Sequence, residues 1–216
     1  MSDNISEAKA LISNALDILN DIPEPIPEGV GKTIKIAIVV GHSDKSRGAS
    51  NPVSGMSEYP FNHKVAKDIA SALNDDDSHN IEGIVVLRKT SLRALPDAVN
   101  ATGAVLCVSL HCNAFNRTAS GCETLYYHSS VQGKVLAKLV QAELVELMGN
   151  SDRGIKAKSS EDRGGYMLRE TNMPCVISEP FFIDEINDYK LGMEYREDGQ
   201  LAAAYTKAIL KMIEKL

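Results

Sequence analysis

Three short apolar runs set the pattern of this chain. Ile34-Lys-Ile-Ala-Ile-Val-Val-Gly-His42, Ala104-Val-Leu-Cys-Val-Ser-Leu-His111 and Pro174-Cys-Val-Ile-Ser-Glu179 are rich in β-branched residues, and each ends in a polar side chain. Runs of this length and composition predict buried strands. In open α/β sheets, ligands bind outside the carboxyl ends of the strands. Two imidazoles and a carboxylate are therefore expected at one sheet edge.

Between these runs the hydrophobic period becomes helical. Val65, Ile69, Ala72 and Leu73 predict a helix over residues 57–74 with Ser57 at its N-cap. Val135, Leu136, Leu139, Val140, Leu144 and Leu147 predict another over 132–148, and residues 200–216 read as a closing amphipathic helix. Further strands are expected at Ile84–Leu87 and Cys122–Tyr127, with a short helix from Leu92 to Ala101. Residues 43–57, 112–120 and 149–165 read as loops. This alternation predicts an α/β fold: a single mixed, mostly parallel twisted sheet flanked by helices. Ahead of it, Ile5, Ala8, Ile12, Ala15 and Leu19 share one face of an amphipathic helix, and Pro23, Pro25 and Pro27 stop it. The expected organisation is an N-terminal helical appendage (1–22), a Pro-rich linker (23–32) and a catalytic domain (33–216). The body is expected to be a monomer, with the appendage docking on it or mediating self-association or partner contact.

Charge sharpens this division. Residues 1–28 carry six acids against one base, a net of −5 within a total of −6. A near-neutral body with an acidic tail offers no basic surface for nucleic acid or anionic membrane, so neither partner is expected. No apolar run approaches the roughly 20 residues that span a bilayer, so no membrane insertion is expected. The N-terminus has neither a basic n-region nor an apolar h-region, and the expectation is synthesis in the cytoplasm without a signal peptide. Cys107, Cys112, Cys122 and Cys175 include no Cys-x-x-Cys pair and read as reduced thiols, mostly in apolar runs. Gly-Val-Gly-Lys-Thr at 29–33 lacks the leading glycine of a phosphate loop and precedes a strand instead of following one.

The candidate chemistry is metal-assisted hydrolysis. Catalytic zinc takes three protein ligands from His and Asp/Glu and keeps the fourth position open. His42 and His111 stand at strand ends, and Glu58, at the start of the following helix, is the natural third ligand. That set leaves Glu179 as general base toward water and as acid toward a leaving amine. His63 is the rival ligand, but five residues beyond Glu58 it lies about 140° around the helix. His79 and His128 fall in polar turns, and Cys112 points away from the strand end. Glu123 reads either as support for a metal-bound histidine or as half of a salt bridge.

Residues 34–216 resemble the zinc-dependent N-acetylmuramoyl-L-alanine amidases of bacterial cell-wall remodelling and phage lysis. The matching pieces run in order: Ile-Val-Val-Gly-His42, Ser-Glu58-Tyr-Pro-Phe-Asn62, Val-Leu-Arg88 with Leu92-Arg93 and Asn100, Val-Ser-Leu-His111-Cys-Asn113, Gly121-Cys-Glu123, Asp152-Arg-Gly154-Ile-Lys156, Leu168-Arg169 and Met173-Pro-Cys-Val-Ile-Ser-Glu179. Ser43, Cys112 and Pro180 depart from the family's usual residues. The resemblance implies one zinc ion per chain on His42, Glu58 and His111, with Glu179 catalytic and Asn113 and Arg169 binding substrate. It implies hydrolysis of the amide joining the lactyl group of N-acetylmuramic acid to L-alanine, with peptidoglycan as the partner. Only nine residues separate His111 from Gly121, which leaves no room there for the inhibitory helix of division amidases. By analogy this favours a phage or prophage endolysin that reaches the wall after release by a holin. The alternatives are a zinc peptidase cutting within the stem peptide and a wall-binding module with a structural zinc.

Overall fold

The structure is a computed structural model that describes residues 33–89 and 91–216. The helix and linker expected within residues 1–32 lie outside the described residues. Six strands form one sheet: β1 (Ile34–Val40), β2 (Ile81–Leu87), β3 (Leu106–Leu110), β4 (Cys122–Tyr127), β5 (Asp152–Lys158) and β6 (Cys175–Glu179). Their spatial order is β2-β1-β3-β6-β4-β5. The first four run parallel, β4 runs antiparallel to β6, and β5 pairs parallel with β4. The sheet is therefore mixed and mostly parallel, with a single reversal of direction between β6 and β4.

Both faces are covered, which is why the central strands read as continuous apolar runs. Side chains alternate across a strand, so Ile36, Ile38 and Val40 enter one core while Ala37 and Val39 enter the other. The first core is the larger. It is closed by α1 (Glu58–Asn74), α3 (Val131–Met148) and α6 (Gln200–Ile213), which supply Phe61, Ile69, Leu136, Leu144, Tyr205 and Ile209. Among the described residues, the second face carries only the short helices α2 (Leu95–Asn100) and α4 (Gly165–Glu170). Two six-residue helices cannot roof a six-stranded sheet, and a cleft remains on that side.

Two segments differ from the sequence-based expectation. Residues 149–165 were expected to be a loop, yet Asp152–Lys158 forms the edge strand β5. Its sequence, DRGIKAK, sets one large apolar residue among charges, which suits an edge that must resist further pairing but erases the period-2 signal. Helix α5 (Ile186–Glu197) was also not anticipated. Its buried stripe is Asp188, Gly192 and Arg196, at helical spacing but without an apolar residue. Gly192 lets the helix approach Phe181, whose ring would lie 2.6 Å from any added Cβ. Among the described residues no helix is long and apolar enough to cross a membrane.

Candidate active site

Strands β1 and β3 end side by side, and Gly41 N–H donates to the Leu110 carbonyl at 3.2 Å. The next residue on each chain segment is a histidine. Their rings meet edge to face with centroids 5.1 Å apart. Glu58, the first residue of α1, reaches between them: its Oε1 lies 3.4 Å from His42 Nε2 and its Oε2 3.5 Å from His111 Nδ1. One donor atom from each of the three residues lies within 4.8 Å of the others, a spacing that a single ion can bridge.

The backbone holds this group in place. Glu58 is 1% exposed, and its two oxygens accept N–H bonds from Ala49 (2.8 Å) and Cys112 (3.0 Å). Burial alone raises a carboxyl pKa. Here the hydrogen bond and charge of His111, the charge of His42 and the Cys112 N–H outweigh burial and hold Glu58 below its ordinary value. It is therefore a carboxylate at neutral pH. His42 Nδ1 lies 3.2 Å from the Ser46 carbonyl, which can only accept, so the proton sits on Nδ1 and the Nε2 lone pair is free. Burial, reinforced by His111 and Arg88, lowers the His42 pKa against the pull of Glu58 and favours that neutral ring.

Two glycines make room for these side chains. A Cβ on Gly41 would stand 1.8 Å from His111 Nε2, and one on Gly48 would stand 2.7 Å from Glu58 Oε1 and 2.8 Å from His42 Cδ2. A second sign that the residues fit a cation is His42 Nε2. It is buried and makes no hydrogen bond, although Glu58 Oε1 is close by. Buried polar atoms without a partner are rare and call for a bound water or ion.

Strand alternation sets the rest of the site. Cys107 and Ser109 on β3 with His111 just past its end, Cys175, Ile177 and Glu179 on β6, and Glu123 and Leu125 on β4 fall on the same sheet face, the thinly covered one. His42, His111, Asn113, Glu123 and Glu179 all line one cavity of ≈ 260 Å³ there. Glu179 is half-buried. Burial, helped by the charges of Glu123 and Glu58 and opposed by His111 and Arg163, raises its pKa. A base with a raised pKa holds a proton more readily once it has taken it.

Glu123 is the cross-strand partner of Glu179. Its carboxylate accepts from Asn113 Nδ2 at 2.8 Å and from Arg153 Nε at 3.0 Å, and among the described residues it has no hydrogen bond to either histidine. Asn113 thus stands in the cleft with its amide already engaged. Arg169 does not line this cleft: its guanidinium bonds Ser160 and Glu170, and it borders a separate groove with Met173. The cations that do line the cleft are Arg88, Lys158 and Arg163. Sequence reasoning missed all three as site residues. Gly164-Gly165 was a usable signal for Arg163, because paired glycines mark close backbone approach. His63 stacks on Tyr59 (5.5 Å), His79 bonds Asp76 and His128 leans on Tyr127, so none joins the metal group. Cys112 packs against Asn62, and burial pushes its thiol pKa well up.

Two imidazoles and a carboxylate gathered at the C-terminal edge of an α/β sheet, beside a further half-buried carboxylate, form the layout that metal-assisted hydrolysis requires. Residues 36–211 match the N-acetylmuramoyl-L-alanine amidase family, and the chain belongs to that family. A crystal structure of an N-acetylmuramoyl-L-alanine amidase from Clostridium difficile 630 superposes with a TM-score of 0.74 at 27% identity, covering 85% of this chain and 98% of that one. The catalytic domain of the CD27L endolysin targeting Clostridia difficile superposes at 0.69, also with 27% identity, covering 82% and 97%. N-acetylmuramoyl-L-alanine amidase LytC of Bacillus subtilis is 28% identical over 179 residues, which is 79% of this chain but only 33% of LytC.

Proposed function

We propose that this chain is a zinc-dependent amidase that hydrolyses the bond between the lactyl group of N-acetylmuramic acid and L-alanine in peptidoglycan. The observation that carries the reading is the convergence of His42, Glu58 and His111 within 4.8 Å, beside the cleft that His42, His111 and Glu179 line. His42, Glu58 and His111 would hold the ion through two neutral nitrogens and one carboxylate oxygen. A zinc ion held there supplies Lewis acidity, which polarises a carbonyl and acidifies water. Glu179 takes a proton from the attacking water on its carboxylate and returns it to the departing alanine nitrogen. The Glu123 charge beside it supports that role by favouring the protonated form of Glu179 between the two transfers. The hydrogen bond and charge of His111, the charge of His42 and the Cys112 N–H keep Glu58 ionised and out of this proton traffic.

Glu179→Gln tests the assignment. It is expected to retain one zinc per chain while turnover falls by about 10²-fold or more, the usual contribution of a general base. Survival of activity would remove Glu179 from the mechanism. Product analysis on purified walls is expected to show a new lactyl carboxylate and a new alanine amino group. A cut inside the peptide would favour the peptidase reading instead. We read the biological role as phage or prophage lysis, supported by the likeness to an endolysin catalytic domain and by the short β3–β4 connection. Co-expression with a holin is expected to lyse the host, and intact cells under those conditions would argue for a remodelling role.

A further inference from the structure

A metal-binding histidine is aimed by whatever accepts the proton of its second ring nitrogen. For His42 that acceptor is the Ser46 carbonyl, 3.2 Å from Nδ1. The carbonyl stands on a loop with little to hold it. Residues 44–48, Asp-Lys-Ser-Arg-Gly, are all exposed and carry no apolar side chain, so nothing packs them against the body. The far end of the loop is tied to α1: the Arg47 carbonyl accepts from Tyr59 N–H and the Ala49 carbonyl from Glu58 N–H, both at 3.0 Å. The near end, which carries Ser46, needs a tie of its own.

Arg88 supplies it. Val40 at the end of β1 pairs with Leu87 at the end of β2, so the parallel register brings the residue after β2 alongside the segment that carries His42. From there Arg88 Nη2 donates to Ser43 Oγ (3.3 Å) and to the Ser46 carbonyl (3.4 Å). Ser43 closes the turn from within. Its N–H donates to the Ser46 carbonyl and its own carbonyl accepts from Ser46 N–H, both at 3.1 Å, while its Oγ lies 3.2 Å from the same N–H. The Ser46 oxygen thus gathers three donors: Ser43 N–H, His42 Nδ1 and Arg88 Nη2. Among the described residues Arg88 forms no ion pair with a carboxylate, so no acid draws its guanidinium elsewhere.

We propose that Arg88 and Ser43 form a clamp that positions His42 for the ion. Arg88 fixes the Ser46 carbonyl, directly and through Ser43 Oγ, and the carbonyl fixes the plane of the imidazole with its proton on Nδ1. Both are positioning residues that act through the loop. This role presupposes the zinc reading of the His42–Glu58–His111 group. Neither side chain belongs to the apolar cores on the two faces of the sheet, so loss of the clamp loosens one ligand of three and leaves the packing of the domain as it is.

Zinc affinity of the full chain is measured by competition with a chromogenic chelator, and the His42 Nδ1 proton is followed by NMR with and without zinc. Arg88→Met is expected to weaken zinc binding by about tenfold or more, the scale on which partners of metal-bound histidines act, and to speed exchange of the Nδ1 proton with solvent. Ser43→Ala is expected to give a smaller loss in the same direction, because Arg88 keeps its direct bond to the carbonyl. The double variant should lose less than the product of the two single losses, since both act on one oxygen. Lys89→Met, which removes the neighbouring charge outside the cleft, is the control and should bind zinc as the wild type does. Should Arg88→Met melt early, Ser43→Ala carries the same comparison. Wild-type affinity with an unchanged Nδ1 proton in both variants overturns the clamp, and so does an equal loss with Lys89→Met. A raised KM on purified walls with affinity and proton unaltered would make Arg88 a substrate contact instead. A full chain that binds no zinc would overturn the metal reading, and the Nδ1 proton of the zinc-free protein would still decide the clamp.

Discussion

Gly41→Ala isolates the metal group from the fold. Gly41 has no left-handed backbone requirement, so the substitution acts by volume alone. The added Cβ would stand 1.8 Å from His111 Nε2, 2.2 Å from Cε1 and 2.4 Å from Cδ2. A comfortable carbon–nitrogen contact is about 3.5 Å, so the imidazole must retreat by roughly 1.7 Å. Held in place, the overpacked ring would cost about 1–3 kcal/mol. The ring is the end of a rotatable side chain, however, and it relaxes by swinging away from Glu58. Folding is then nearly unaffected, with a melting shift of no more than about 4 °C for a 1 kcal/mol residue of strain. The ligand group loses one of three donors. Misplacement by about 1 Å already costs on the order of 10²-fold in rate. We therefore expect zinc content to fall below stoichiometry after dialysis against limiting metal, and kcat/KM to drop by at least about 10²-fold. Metal analysis, turnover on purified walls and a thermal melt of the same sample make the measurement. A Gly41→Ala protein that keeps one tightly bound zinc and wild-type turnover would refute the placement of His111.

Two further outcomes follow from the same geometry. Glu123→Gln removes the like charge beside Glu179, one of the causes of its raised pKa, so the acidic limb of the kcat/KM profile is expected to move to lower pH; a limb that stays in place or moves upward would show that Glu123 does not act on Glu179. Asp188→Ala strips the acceptor from Ser120 Oγ (2.7 Å), Gly121 N–H (3.1 Å) and Phe182 N–H (3.0 Å). Two of these are buried backbone donors, so equilibrium unfolding in urea is expected to show a loss of about 2–4 kcal/mol, and a loss below 1 kcal/mol would mean that water replaces the carboxylate.

What the sequence made legible depended on how each segment is buried. β1, β3 and β6 lie in the middle of the sheet with both faces covered, so their apolar runs are unbroken and their ends easy to place. His42, His111 and Glu179 lie at those ends or within two residues of them, which is why a reading of strands was also a reading of the site. β2 begins at Ile81, three residues before its expected start, because Glu82 and Gly83 interrupt the run. β5 and α5 hid because the residues they bury or pair are charged, small or polar. Ser57 does occupy the N-cap of α1, but its side chain makes no capping bond; the turn is held by Glu58 N–H donating to the Ala49 carbonyl at 3.0 Å. Arg169 failed to reach the cleft for a topological reason. It sits at the end of α4, beside the groove of Met173, whereas Arg163 precedes that helix and faces Glu179's cleft. No periodicity distinguishes two arginines six positions apart across a glycine pair.

The reversal of direction between β6 and β4 has a consequence for how such a domain can change. It delivers His42, His111 and Glu179 to one rim of the sheet and Lys158 to the other. The His42–Glu58–His111 group and the Lys158 end of the cleft therefore hang from different loops, with the strands between them. Substitutions in the β5–α4 connection can reshape the far end of the cleft without touching the three residues gathered at its other rim.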